Sequence, residues 1–367
     1  MTGRDTFLDL PRALPPVLGL GAFLKASLCH IDGTRARVTP DAGDLGTLEA
    51  VQRYDTLLAG LLDGATPPVM AAHDLHPDFH STRTAATLDC VPLGVQHHHA
   101  HTLATQWEHG QHGAVLGLSL DGFGLGPGGE SWGGELLEVD GPVFTRIGHL
   151  AMLPQPGGDV AAREPWRMAA AALWRLGRGD EIATRFADQP HAALLAQMLD
   201  RRVNAPETSS CGRLFDAACG LLGVHPVATF EGQAPMALEA MANAPDTMEG
   251  GWTLVDGRLD FAPLLDRVSD LTPERGANLF HGTLAAGFAD QVREARKTTG
   301  LSTIAVGGGC FLNRVFTEAL TTRLEADGIE VLRPMKLSPG DAGLSFGQAI
   351  AAALTAERQM QGDAPCA

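Results

Sequence analysis

The 367 residues are 44% hydrophobic and 19% charged, which excludes a disordered chain and allows two or three domains with a large core. A formal charge of −16, with few lysines among the 27 basic residues, repels phosphate backbones, so nucleic acid is not expected as a partner. No apolar run reaches bilayer length and Met1-Thr2-Gly3-Arg4-Asp5 is no secretory signal. The six cysteines (Cys29, Cys90, Cys211, Cys219, Cys310, Cys366) contain no C-x-x-C pair, so a cytoplasmic protein without membrane partner or zinc ribbon is expected.

In chain order, Val17-Leu18-Gly19-Leu20-Gly21 reads as a strand running into a small-residue turn, with Lys25 on a second strand. Thr47 to Leu62 is helical in pattern, Val69 to Ala72 is a strand, and Val91 to Val95 is a strand leading into His97-His98-His99-Ala100-His101. Val115-Leu116-Gly117-Leu118-Ser119 echoes the first strand. Leu120, Asp121 and a glycine-rich loop ending in Trp132-Gly133-Gly134-Glu135 follow it, then another strand. Two strand-turn-strand units suggest two related α/β lobes, 1–112 and 113–342, with the final helix 343–358 packing back on the first. Segments such as Glu164 to Leu176 and His191 to Val203 place a mostly helical insertion in the second lobe, at about 143–208. The last third alternates again: strand Thr303 to Val306, helix Phe311 to Ala326, strand Glu330 to Leu332, helix Gly343 to Glu357, and a frayed tail after Gln359. This alternation defines an α/β fold.

On a helix starting at His97, His97 and His101 stand at i and i+4, on one face, where two imidazoles can close on a metal ion; an incidental cluster in a chain with 14 histidines is the alternative. Asp121 ends the second apolar strand before several glycines, among them Gly122, so that backbone can approach a metal or phosphate; a plain acidic turn is the alternative. Asp341, in Ser338-Pro339-Gly340-Asp341, stands before the last helix, where an ordinary helix cap competes with a ligand role. Two histidines and two aspartates would form a mixed N/O site suited to Fe, Zn or Mn rather than Ca.

Gly307-Gly308-Gly309 joins a strand to a helix with Asn313 in its first turn, a place for nucleotide phosphate or ribose, or simply a tight turn. Asp216 and Glu231 are candidates for ribose hydroxyls or a substrate amide, against helix caps and a surface carboxylate. His73-Asp74-Leu75-His76-Pro77-Asp78 crowds polar groups at a strand end, where α/β sites lie. No G-x-S-x-G elbow or cysteine signature for covalent catalysis is present.

Together, Ala72-His73-Asp74-Leu75-His76-Pro77 with Ser81-Thr82-Arg83, Gln96-His97-His98-His99-Ala100-His101, Leu120-Asp121-Gly122 and Trp132-Gly133-Gly134-Glu135 resemble the hydrogenase-maturation carbamoyltransferase family HypF. So do Glu164-Pro165-Trp166-Arg167-Met168, Gly212-Arg213-Leu214-Phe215-Asp216, Glu231-Gly232-Gln233, Gly308-Gly309-Cys310-Phe311-Leu312-Asn313 and Gly340-Asp341. Their order is that of the family's carboxy-terminal, TsaD-like portion. The resemblance implies an actin/Hsp70/sugar-kinase (ASKHA) fold with two duplicated lobes. It implies a divalent metal, Fe or Zn with Mg as a third choice, held by His97, His101, Asp121 and Asp341. It also implies ATP or carbamoyl-adenylate near Gly122, Asp216, Glu231, Gly232, Gly308, Gly309 and Asn313, while His98 and His99 orient the ligands or line the cleft. The implied reaction passes a carbamoyl group, derived from carbamoyl phosphate and ATP, to the C-terminal cysteine of HypE for cyanide ligand synthesis. The family's upstream domains are missing from this sequence, so a separate YrdC-like adenylate-forming protein is a second implied partner. A small-molecule O-carbamoyltransferase and a non-catalytic nucleotide-binding partner are the alternatives.

Overall fold

A computed structural model describes residues 3–362; Cys366 and most of the tail expected to fray lie outside the described residues. The first sheet grows from a hairpin: β1 (Thr6–Gly19) pairs antiparallel with β2 (Cys29–Val38), from Thr6 opposite Val38 to Gly19 opposite Cys29. After α1 (Leu48–Leu62), β3 (Met70–Asp74) adds parallel to β1. After the short α2 (His80–Ala85), β4 (Val91–Val95) adds parallel to β3, and the order is β2-β1-β3-β4. The apolar face of α1 covers this sheet, with Tyr54, Leu58 and Leu61 buried against Leu18, Leu20 and Ala71. The Tyr54 hydroxyl donates to the Leu20 carbonyl at 2.7 Å, so this buried phenol is not left unpaired. Gln96 alone separates β4 from α3 (His97–Glu108).

The second sheet repeats the scheme. β5 (Val115–Leu125) and β6 (Ser131–Asp140) form an antiparallel hairpin, and β7 (Val143–Leu150) extends it beside β6. Short strand β8 (Leu153–Pro154) and helices α4 (Pro165–Arg175), α5 (Ile182–Arg185) and α6 (Ala192–Asp200) follow. Next come β9 (Glu207–Thr208), α7 (Cys211–Leu221), α8 (Gln233–Met241), the antiparallel pair β10 (Thr253–Val255) and β11 (Arg258–Asp260), α9 (Ala262–Val268) and the long α10 (Pro273–Thr299). β12 (Thr303–Gly307) pairs parallel with β5, α11 (Arg314–Ala326) crosses over, and β13 (Glu330–Leu332) pairs parallel with β12. The core path reads β6-β5-β12-β13, a hairpin whose first strand receives two parallel strands, as in β2-β1-β3-β4. This duplicated order is the two-lobed α/β arrangement of the ASKHA fold. Val115 to Leu120 are buried without alternation because β5 is central, with α3 and α7 both against it.

The last helix, α12 (Leu344–Met360), packs on β1, β2, β3 and α3. It sits close because Gly19 and Gly347 lack side chains: a Cβ at Gly19 would stand 1.9 Å from the Ser345 carbonyl oxygen, and one at Gly347 would stand 1.8 Å from that of Ala100. No helix among the described residues is long and apolar enough to cross a membrane.

Several elements differ from the sequence expectation. Lys25 lies not on a strand but in the turn before β2, with φ 49°. The first strand begins at Thr6, eleven residues before Val17, and carries register shifts around Asp9, Leu14 and Val17. Residues 143–150, expected to open the helical insertion, form β7, so helix begins only with the 3-10 turn Gly158–Ala162. Trp132 to Glu135 lie inside β6 rather than ahead of it, and Gly122 to Leu125 continue β5 past an irregularity instead of forming a loop.

Candidate metal centre

Helix α3 is rich in histidine, threonine and glutamine, yet every residue from His97 to Trp107 is buried. Buried polar groups require partners, and tracing those partners locates the site. Gln96 caps the helix: its Oε1 accepts from the backbone N–H of His98 at 2.7 Å and of His99 at 3.0 Å. That orientation turns its Nε2 donor toward His98 Nδ1, 2.9 Å away. The His99 ring leaves the cleft, donating from Nε2 to the Gly141 carbonyl at 2.9 Å and lying against Phe144. Burial pushes its pKa down to about 4, so it is neutral. Burial, reinforced by the neighbouring His97 charge, likewise holds His98 well below the usual imidazole range.

His97 and His101 face each other one helical turn apart, their Nε2 atoms separated by 3.2 Å. The end of the buried β5 run delivers Asp121, whose Oδ1 accepts from the Gly122 N–H at 2.7 Å. Asp341 comes from the 3-10 turn Asp341–Gly343 that opens α12. The cap alternative for Asp341 is not realised, because α12 has Gly343 at its N-cap and no side-chain cap bond. Asp121 Oδ2 lies 3.1 Å from His101 Nε2 and 3.7 Å from His97 Nε2; Asp341 Oδ1 lies 3.5 Å from His97 Nε2 and 3.8 Å from His101 Nε2. One ligand atom from each of the four residues falls within 4.8 Å of all the others.

Electrostatics ties these groups together. Burial opposes charge on His97 and His101, but Asp121 and Asp341 outweigh it and raise both pKa values. Against their own burial, the two carboxylates are held low by the two imidazoles, Asp121 most strongly. Four observations fit a cation here. The Nε2 atoms confront each other and two carboxylate oxygens, and Asp121 Oδ2 is fully buried with no hydrogen-bond partner despite its short approach to His101. Separations of 3.1, 3.2 and 3.5 Å fall within the roughly 3.0–3.5 Å expected between atoms sharing an ion at about 2.1 Å, and those of 3.7 and 3.8 Å lie just above it. The donor set of two nitrogens and two oxygens suits Zn, Fe or Mn.

Other proposed contacts surround this cluster at different depths. Gly122 and Gly309 border Asp121, and a Cβ at Gly309 would approach Asp121 Oδ1 to 3.2 Å. Gly308 has φ +98° and its missing Cβ would fall 2.3 Å from the Leu120 carbonyl oxygen, so no other residue fits the close approach of β12 to the end of β5. Asp216 is buried on α7 with its carboxylate 2.7 Å from the Arg213 guanidinium; burial raises its pKa despite that cation. Glu231 stands exposed outside the cluster, paired with Lys25 of the other lobe at 3.2 Å, and Gly232 begins α8 with φ +78°. Asn313 is committed to the framework: its Oδ1 accepts from the Phe316 N–H and its Nδ2 lies 2.9 Å from His281 Nε2. One Nδ2 hydrogen and one Oδ1 lone pair remain beyond these two bonds.

Two contributors are not singled out by the sequence. Asp74 accepts from His97 Nδ1 at 2.8 Å and is almost fully buried. Ser210 Oγ accepts from the Arg213 N–H at 3.1 Å and lies 2.7 Å from the Gly122 carbonyl oxygen, joining the start of α7 to the Asp121 turn. The polar run His73 to Asp78 at the end of β3 signals the first, and a serine directly ahead of an apolar helix, an N-cap signal, marks the second.

The fold and the His/Asp centre define a two-lobed ASKHA protein with a metal-competent interlobe site. A family model described as "HypF Kae1-like domain" matches residues 12–108, and one described as "Carbamoyltransferase, Kae1-like Domain, second subdomain" matches residues 117–348. The chain belongs to this HypF carbamoyltransferase domain family. It is 45% identical over 379 residues to "Carbamoyltransferase HypF2" of Cupriavidus necator, covering 93% of this chain and 47% of that protein. A "Carbamoyltransferase HypF homolog" of the same organism is 44% identical over 381 residues, covering 96% of this chain and 97% of that one. Among solved structures, full-length HypF in a phosphate- and nucleotide-bound form superposes with a TM-score of 0.87 at 30% identity, covering 94% of this chain and 47% of that one. The chain thus spans about half the length of HypF2 and of full-length HypF, and nearly all of the shorter homolog.

Proposed function

We propose that this chain is the carbamoyl-transfer module of [NiFe]-hydrogenase maturation, moving a carbamoyl group from carbamoyl-adenylate to the C-terminal cysteine of HypE. The convergence of His97 and His101 of α3 with Asp121 of β5 and Asp341 ahead of α12 carries this reading. Family membership and the nucleotide-bound HypF relative support it. A divalent ion held by these four residues would supply a Lewis acid for the carbamoyl carbonyl and balance phosphate charge.

The chain's own groups account for the rest of the role. The α3 histidines are buried on their helix side, so reactants approach from the side of Asp121 and Asp341, which keep 14% and 22% side-chain exposure. Gly122, Gly308 and Gly309 let backbone approach the adenylate phosphate without a side chain between, and Asp216 and Glu231 offer acceptors to ribose hydroxyls. Among the described residues, burial raises the Cys29, Cys90 and Cys219 thiols, and the Cys211 contact together with burial raises that of Cys310, so none of these four is poised as a nucleophile. The attacking thiolate therefore comes from the acceptor, its sulfur bonding to the carbamoyl carbon as AMP leaves with the bond electrons.

The test incubates the protein with HypE, ATP and carbamoyl phosphate labelled in the carbamoyl carbon, in parallel with preformed carbamoyl-adenylate. Label on the HypE C-terminal cysteine from the adenylate is the expected result. Label from carbamoyl phosphate only after adding a YrdC-like protein would assign activation to that second partner. No transfer from the adenylate would refute the reading.

A further inference from the structure

Asp74, at the end of β3, is a buried carboxylate with 1% exposure, and no lysine or arginine lies within ion-pair distance of it among the described residues. A buried carboxylate with no lysine or arginine beside it is costly, so its hydrogen bonds show what it serves. Oδ2 lies 2.8 Å from His97 Nδ1, and Oδ1 accepts from the His76 backbone N–H at 3.0 Å. Its own carbonyl is held by His73 Nδ1 at 2.7 Å and Thr82 Oγ1 at 3.1 Å. Side chain and backbone are both fixed, and both carboxylate oxygens accept.

We propose that Asp74 is a positioning residue with two attachments, fixing the metal-facing tautomer of His97 and anchoring the turn that forms the aromatic rim of the same site. Because the Asp74 oxygen accepts from Nδ1–H, neutral His97 carries its lone pair on Nε2, the atom turned toward His101, Asp121 and Asp341. The other oxygen holds His76, whose ring stacks on Phe79 at 4.3 Å with 9° between planes and meets the edge of Phe123 at 6.2 Å. Phe123 follows Asp121 by two residues on β5 and is 41% exposed, so the rim turn and the Asp121 end of β5 meet through these rings. One carboxylate links a ligand on α3 to the wall that an incoming reactant passes.

The double demand for acceptors makes the role testable. An amide offers one acceptor where Asp74 supplies two. In Asp74→Asn, either the amide donates to His97 Nδ1 and moves the ring proton to Nε2, or its NH2 group confronts the His76 N–H. The inference rests on the four-residue metal site, so wild-type full chain and His97→Ala are titrated beside the variant with Co(II) against a competing chelator, recording the visible d–d bands. Asp74→Asn should bind Co(II) roughly 10–100-fold more weakly with altered bands, and adding it to His97→Ala should cost nothing further. Wild-type affinity and bands in Asp74→Asn would overturn the role of Asp74 alone, as would an equal loss in the His97→Ala background. A wild-type chain that binds no Co(II) would overturn the metal site and this inference with it. A measurement on the unmutated chain stands independently of how the variant folds: long-range proton–nitrogen spectra of the Zn(II)-loaded protein should show His97 protonated at Nδ1. Protonation at Nε2 would refute the proposal.

Discussion

Gly347→Ala sets two effects of opposite sign against each other, and the structure decides which wins. Alanine in place of glycine within a helix favours folding by about 1 kcal/mol through propensity. At this position the new Cβ would lie 1.8 Å from the Ala100 carbonyl oxygen and 3.0 Å from the Ala104 nitrogen, both backbone atoms of α3. Real Cβ contacts essentially never fall below 3.0 Å, so α12 and α3 must separate by at least about 1.2 Å. No flexible side chain is available to yield, and overpacking of this kind costs about 1–3 kcal/mol. The two helices bury a common core that includes Leu103, Phe346, Ala349 and Ile350, and their separation thins it as well. The difference is a net loss of up to about 2 kcal/mol, to which the thinned core adds, read as a lower urea midpoint at unchanged slope. Metal affinity should fall in the same variant, because α3 carries His97 and His101 while Asp341 precedes α12. A variant that is stabilised by the propensity increment, with wild-type metal affinity, would refute the packing argument.

Burial lowers the His99 pKa from 6.5 to about 4, so between these values the unfolded chain holds a proton the folded chain refuses. Stability should therefore fall as pH falls through this window, by about 3 kcal/mol when fully developed, and His99→Gln should remove that part of the pH dependence in chemical denaturation. Glu135 is fully buried and accepts from the N–H groups of Gly133 and Gly134, Ser209 Oγ and Arg146 Nε. Glu135→Ala should cost about 3–5 kcal/mol in the same assay, and a loss below about 1 kcal/mol would contradict the role given to that network. Asp216→Asn should weaken binding of a nucleotide measured by calorimetry while leaving Co(II) affinity within twofold; a variant with unchanged nucleotide affinity would remove Asp216 from the adenylate site.

The echo between Val17–Gly21 and Val115–Ser119 exposed the duplicated hairpins because short apolar strands ending in small residues keep their local pattern. The first eleven residues of β1 stayed hidden: Pro11, Pro15 and Pro16 interrupt the pattern, and register shifts absorb them. Helix α10, the longest among the described residues, escaped notice because it is nearly surrounded. Its glycines meet neighbours directly, a Cβ at Gly282 falling 2.2 Å from the Asp246 carbonyl oxygen, and glycine inside a helix weakens the helical signal of the sequence. Strand β7 is hidden in the sequence because Val143 to Leu150 does not alternate apolar with polar residues, and its burial alternates only weakly. At the centre, His97 and His101 were legible from helical spacing alone. Asp121 and Asp341 were individually ambiguous, since only folding brings the two ends of that pair beside α3. Asp74 was visible only as one member of a polar run, because a hydrogen bond to the far side of an imidazole leaves no periodic trace.

The central claim is that four residues from both lobes hold one ion that carbamoyl transfer requires. The most direct test measures bound metal and transfer of label from carbamoyl-adenylate to HypE on the same preparations of wild-type, His101→Ala and Asp341→Asn protein. One equivalent of divalent metal in the wild type, with metal and transfer lost together in His101→Ala and reduced together in Asp341→Asn, is the predicted result. Unchanged metal content in His101→Ala, or full transfer by a metal-free variant, would contradict the account.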